Sequence, residues 1–187
     1  MTARLVVLAS GSGSTLQAIL DAVAGDFPAT VVAAGTDRPA CQAMQRAAAA
    51  GVPTFAVPLA DYPNRAEWDA ALAEEIGRHR PDLVALAGFM RLLAAETVSR
   101  FPMVNTHPSL LPSFPGAHAV EDALTYGVKV SGVTVHRVDA GLDSGPILAQ
   151  AAVPVCPDDT VDSLRARIQA VEKPLFVQTI RQLCSSQ

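Results

Sequence analysis

Cysteine is scarce in this chain: Cys41, Cys156 and Cys184 lie far apart and form no C-x-x-C pair. That spacing suggests neither a zinc site nor a disulfide framework, and a reducing cytoplasm is the expected setting. Histidine is nearly as scarce, with four residues and no H-x-x-x-H pair, so no metal is expected. No apolar run approaches the ~18 residues of a membrane-spanning helix. The opening segment, 1–10, has neither the length nor the cleavage site of a signal peptide. Positive charge is not in excess: 14 Lys and Arg against 18 Asp and Glu give a formal charge of -4. That leaves no basic footprint for nucleic acid, although a local cationic site for an anionic ligand stays open. Charged residues make up 17% and apolar ones 50%, the reverse of a disordered chain. No G-x-S-x-G elbow and no Walker A loop occur, which argues against a serine hydrolase and a P-loop nucleotide site.

What is present fits one domain, since 187 residues compare with a prior of about 150 per domain. Continuous apolar runs at Leu5 to Ala9, Thr30 to Gly35, Thr54 to Val57 and Asp82 to Ala87 read as buried strands. Between them, Leu16, Ile19, Leu20 and Val23 mark one helix, Cys41 to Ala50 a second, and Trp68, Leu72 and Ile76 a third over Arg65 to Arg78. Strands of this kind alternating with helices predict a Rossmann-like, doubly wound, mostly parallel α/β sheet. The C-terminal half is less regular. Met103 to Asn105 reads as a strand, 108–116 as a proline-rich loop and Ala117 to Tyr126 as a helix. Val128 to Val138 and Ile147 to Val155 read as further strands, antiparallel in the reading adopted. Leu164, Ile168, Val171 and Leu175 mark a last helix, which Pro174 is expected to kink or to divide.

Three segments could carry chemistry. Ser10-Gly11-Ser12-Gly13-Ser14-Thr15 joins a strand to a helix, where free N–H groups can face an anion. Leu16 stands where the third glycine of a dinucleotide fingerprint would be, so one phosphate fits better than a pyrophosphate. The alternative is a tight turn with ordinary hydroxyl capping. Asn105 and His107 are two residues apart, hence on one side of an extended chain, and both can donate to a developing oxyanion. A rigid turn with a structural histidine is the competing reading. Asp143, set among Gly141, Ser144 and Gly145, reads first as an Asx-turn former, and second as a carboxylate that could reach His107.

The loop 10–14, the run Leu86-Ala87-Gly88-Phe89-Met90-Arg91, the block Asn105-Thr106-His107-Pro108-Ser109-Leu110-Leu111-Pro112 and the segment Leu142-Asp143-Ser144-Gly145-Pro146 occur in a characteristic order. In that order they resemble the folate-dependent formyltransferases, from about Arg4 to Glu172. The resemblance implies a formyltransferase fold over 1–187. It implies transfer of a formyl group from 10-formyltetrahydrofolate to the amine of phosphoribosylglycinamide, without metal, nucleic acid or membrane. It makes Asn105, His107 and Asp143 catalytic. It assigns the glycinamide ribotide to Gly13, Ser14, Thr15, Gln169, Ala170, Val171 and Glu172. It assigns the folate to Arg65, Met90, Arg91, Leu92, Leu93, Asn105, Asp139, Ala140, Gly141, Leu142 and Asp143. Its partners are small molecules, with a homodimer left open.

Thr15 in place of an asparagine, Ser113-Phe114 in place of a frequent Lys-Tyr pair, and Pro174 depart from the family's pattern. Methionyl-tRNA formyltransferase and formyltetrahydrofolate hydrolase share the catalytic block, but each is expected to carry a further domain. A non-catalytic nucleotide-binding module would instead use Asp37 as its ribose ligand.

Overall fold

The computed structural model describes residues 2–185. Its strands are β1 (Ala3–Leu8), β2 (Ala29–Thr36), β3 (Thr54–Ala56), β4 (Leu83–Leu86), β5 (Met103–His107), β6 (Val130–Arg137) and β7 (Ile147–Pro154). Its helices are α1 (Ser14–Val23), α2 (Gln42–Ala49), α3 (Arg65–Arg78), α4 (Ala95–Arg100), α5 (Ala119–Tyr126) and α6 (Val161–Ser185). The strands form a single sheet in the order β3-β2-β1-β4-β5-β6-β7. β1 to β5 pair in parallel, whereas β5–β6 and β6–β7 are antiparallel.

The continuous apolar sequence of β1 follows from its place at the centre, covered on both faces. Its side chains alternate. Leu5 and Val7 pack with Leu16 and Ile19 of α1 and with Phe176 and Ile180 of α6. Val6 and Leu8 pack on the other face with Trp68, Leu72 and Ile76 of α3. The α3 stripe is fully buried, and the Trp68 indole N–H donates to the Val57 carbonyl at 2.8 Å. Asn64 caps α3 reciprocally with Glu67: it accepts from the Glu67 N–H and donates to the Glu67 carboxylate. Gly51, at φ 72°, follows the end of α2 as expected.

Two features differ from expectation. The short α4 has one buried residue, Thr97, and therefore no apolar stripe to announce it. α6 runs unbroken through Pro174 instead of dividing there. Leu164 and Ile168 bury on one side of the proline, Phe176 and Ile180 on the other. Four such side chains at roughly 1.5–3 kcal/mol each outweigh the ~3 kcal/mol that an interior proline costs. Pro174 itself is exposed, and so is Ala170, whose carbonyl loses its helical partner and can bond water. Pro174→Ala is expected to stabilise the protein by about 1–2 kcal/mol, the restored bond being offset by a more flexible unfolded chain. Thermal unfolding of the two proteins checks this, and an unchanged or lower midpoint counts against it.

Candidate active site

The sheet changes winding direction between β1 and β4, and the loops that leave these strands border the resulting crevice. Gly13, at φ 71°, precedes α1, and a Cβ there would lie 2.5 Å from the Ala43 Cα. Only glycine fits both the backbone and the approach of α2. A Gly13→Val change would therefore damage the fold before it tested a ligand. No side chain caps α1, contrary to the hydroxyl-capping alternative. Its first ladder bond runs from the Gln17 N–H to the Gly13 carbonyl, so the N–H groups of Ser14, Thr15 and Leu16 lie ahead of the ladder. Arg46 donates to the Ser12 carbonyl at 2.8 Å. In a trans peptide C=O and N–H point in opposite directions, so the Gly13 N–H faces away from Arg46. A cavity of about 200 Å³ lies here, lined by 10–15, Arg38, Ala87, Gly88 and Met90.

The second segment assigned to the ribotide meets the first: the Thr15 hydroxyl donates to Glu172 Oε1 at 3.0 Å. Burial pushes the Glu172 carboxyl above its ordinary value, with the Thr15 bond and Lys173 opposing. Val171 is half-buried against the cluster of Val120, Val133, Val153, Leu164 and Ile168, whereas Gln169 and Ala170 are exposed.

At the end of β5, Asn105 and His107 share one face, and register sets His136 of β6 directly opposite Asn105. His107 Nδ1 lies 3.3 Å from Asp143 Oδ2, while its Nε2 meets the Phe114 carbonyl at 2.8 Å. Nδ1 thus faces the Asp143 carboxylate, and Nε2 is hydrogen-bonded to the Phe114 carbonyl. His136 Nδ1 donates to the Arg137 carbonyl, which leaves Nε2 to accept from the Asn105 amide at 3.3 Å. The same Nε2 stands 3.7 Å from Asp143 Oδ1. Asp143 has φ 51° and accepts the Gly116 N–H at 2.8 Å. It is not the Asx-turn former. That role falls to Asp139, whose Oδ1 accepts from the Gly141 N–H and the Ser144 hydroxyl. The proline-rich loop is stiffened by more than its prolines: the Thr134 hydroxyl bridges the Ser109 carbonyl and the Leu111 N–H. His136 is absent from the sequence-derived set, because only the antiparallel register brings it beside Asn105 and Asp143.

The residues assigned to folate divide by exposure. Met90, Leu92 and Leu142 present apolar side chains to solvent, and Ala140 and Gly141 are also exposed. Leu93 is buried against the α3 side of the sheet. Arg65 stacks over Trp68 and donates to the Leu92 carbonyl, so it holds that loop. Arg91 donates to Asp37 Oδ2 at 2.7 Å. Asp37 Oδ1 accepts from the Ser10 hydroxyl at 2.5 Å, so the carboxylate a nucleotide-binding module would offer to ribose is already engaged. Burial would raise its pKa, but Ser10 and Arg91 together hold it below the ordinary carboxylate value. A second cavity, about 730 Å³, adjoins Asp37 and the start of α2 rather than the His107–Asp143 pair.

The formyl transferase family model matches residues 3–180. A phosphoribosylglycinamide formyltransferase of Mycobacterium tuberculosis (strain ATCC 25618 / H37Rv) is 55% identical over 98% of this chain and 86% of that protein. One from Bacillus subtilis (strain 168) is 38% identical over 96% of this chain and 94% of that protein. The crystal structure of glycinamide ribonucleotide transformylase 1 from Symbiobacterium toebii superposes with a TM-score of 0.96 at 47% identity, covering 99% of this chain and 89% of that one.

The Glu172 environment carries a prediction of definite sign. A carboxyl whose folded pKa is raised favours folding below its unfolded value and loses that contribution as pH rises through the folded value. Glu172→Gln keeps an acceptor for Thr15 without the buried charge. Its melting temperature is expected to match wild type near pH 4 and to exceed it increasingly toward pH 8. A gap that narrows as pH rises would contradict this account.

Proposed function

The chain belongs to the formyl transferase family, and from that membership we infer that it transfers the formyl group of 10-formyltetrahydrofolate to the amino group of N1-(5-phosphoribosyl)glycinamide. This is a formyl-transfer step of purine biosynthesis, carried by one formyltransferase domain in the cytoplasm. The observation that supports the chemistry most directly is the convergence of Asn105, His107 and Asp143, with His107 and Asp143 in contact at 3.3 Å.

The acceptor's phosphate takes the N–H groups at the start of α1, beside Gly13, Ser14 and Thr15, with Glu172 nearby on the ribose side. Folate lies along the exposed apolar residues Met90, Leu92 and Leu142. The acceptor amine attacks the formyl carbon, a C–N bond forms, and the carbonyl electrons move onto oxygen. One Asn105 N–H is held by His136, and the other can donate to that oxyanion. In its protonated form, His107, next to Asp143, adds positive charge beside it. Asp143 takes the proton released by the attacking nitrogen, and a water relay returns it to the folate nitrogen as the old C–N bond breaks.

Asp143→Asn separates charge from shape. Asparagine tolerates a left-handed backbone and can still accept the Gly116 N–H. Turnover is expected to fall by about 10²–10⁴ with little change in melting temperature. His107→Ala and Asn105→Ala are each expected to lose about 10²–10³ in turnover, with less than additive loss when combined. The absorbance change from 10-formyltetrahydrofolate to tetrahydrofolate, with and without phosphoribosylglycinamide, measures all of these. Turnover that ignores the acceptor would indicate a hydrolase instead, and a near wild-type Asp143→Asn enzyme would refute the assigned role.

A further inference from the structure

The phosphate loop has backbone donors, but a phosphate monoester carries roughly -1.5 to -2 charges at neutral pH. The chain as a whole bears a formal charge of -4, so a local cation is needed. Three arginines approach the loop. Arg46 is engaged by the Ser12 carbonyl and by Gln17. Arg91 is engaged by Asp37. Arg38 differs from both. Its backbone is fixed, because its N–H donates to the Thr36 hydroxyl at 3.0 Å. Its side chain is 59% exposed, and its Nε approaches Asp37 Oδ2 only to 4.0 Å. Asp37 already has closer partners in Ser10 and Arg91, so departure of Arg38 leaves no buried charge uncompensated.

Arg38 also borders both cavities, the smaller one at the start of α1 and the larger one beside it. Asp37 is the one carboxylate among the residues lining either cavity, and it is neutralised from within. Lys173, beside Glu172 in sequence, lines neither. We propose that Arg38 is a binding residue for the acceptor, swinging from Asp37 to cover the phosphate held at the start of α1. This rests on the reading that the 10–15 loop takes that phosphate. The guanidinium closes the side of the phosphate opposite the helix, where backbone N–H groups do not reach. Its planar fork can donate twice to one phosphate, which a lysine cannot do.

The test compares phosphoribosylglycinamide with glycinamide riboside, which lacks the phosphate, by calorimetry and by steady-state kinetics. Arg38→Met is expected to raise Kd and KM for the phosphorylated acceptor by about 10- to 100-fold, the range for a hydrogen bond to a charged group. Its kcat at saturation and its KM for folate are expected to stay within about two-fold of wild type, the signature of lost ground-state binding. The riboside should bind wild type and Arg38→Met equally, and Arg38→Lys should recover part of the loss. Unchanged melting temperatures would exclude a merely structural effect. If Arg38→Met binds the phosphorylated acceptor like wild type, while wild type still prefers it to the riboside, the role of Arg38 is refuted and the loop reading survives. If wild type does not distinguish the two ligands, the loop reading itself fails. Equal losses for both ligands would also refute the proposal, because they would place Arg38 away from the phosphate.

Discussion

A single buried carboxylate ties together the loops around the start of α1. Asp37 closes β2, and its two oxygens are held by Ser10 from the loop after β1 and by Arg91 from the loop after β4. The Ser10 hydroxyl in turn accepts the Met90 N–H, and the Ser10 N–H meets the Gly88 carbonyl. An ionised carboxylate without partners in this position would cost several kcal/mol. The three loops therefore settle together or not at all. Gly13 and Ala43 add a steric condition, since α1 and α2 approach too closely for any Cβ at residue 13. Charge and sterics together set the start of α1 before any ligand arrives.

The cluster of Asn105, His107 and Asp143 is held differently, by strand register. Asn105 and His107 share a face because they are two residues apart on β5. His136 joins them because β6 runs antiparallel and pairs it with Asn105. A slip of one residue would turn His136 to the opposite face and leave the Asn105 amide without its partner. The bulge between Val135 and His136 on the β7 side ends regular pairing there. The chain beyond it can then fold back until Asp143 reaches His107. The left-handed backbone at Asp143, strained for most residues, points to a carboxylate held for its position.

The sequence made the sheet and its helices legible because central parallel strands read as unbroken apolar runs. The Trp68, Leu72, Ile76 stripe marks α3 for a different reason, its large apolar side chains recurring every fourth residue. Short α4 was illegible because six residues burying one threonine leave no periodic signal. Asp143 was misleading from composition, since glycine and serine neighbours do mark an Asx-turn there. The turn exists, but Asp139 makes it. His136 and the Asp37–Arg91 pair escaped notice for a common reason. Their partners are 31 and 54 residues away in sequence, so tertiary register alone brings them together. Continuity through Pro174 was equally hidden, because it depends on apolar contacts along both halves of α6.

The spacing between the two sides follows from the sheet itself. Leu8, the last residue of β1, pairs with Leu86, the last of β4, and Leu86 pairs with Asn105. These three residues form one row across adjacent strands. With neighbouring strands about 4.8 Å apart, Leu8 lies roughly 10 Å from Asn105, and the 10–15 loop begins two residues beyond it. A ribose with a phosphate at one end and a glycinamide at the other has a span of that order. In the proposed reaction, an acceptor anchored at the start of α1 extends its amine across these strands toward Asn105. Backbone pairing in the core thus helps fix how far the loop after β1 lies from Asn105, the distance the proposed acceptor has to span.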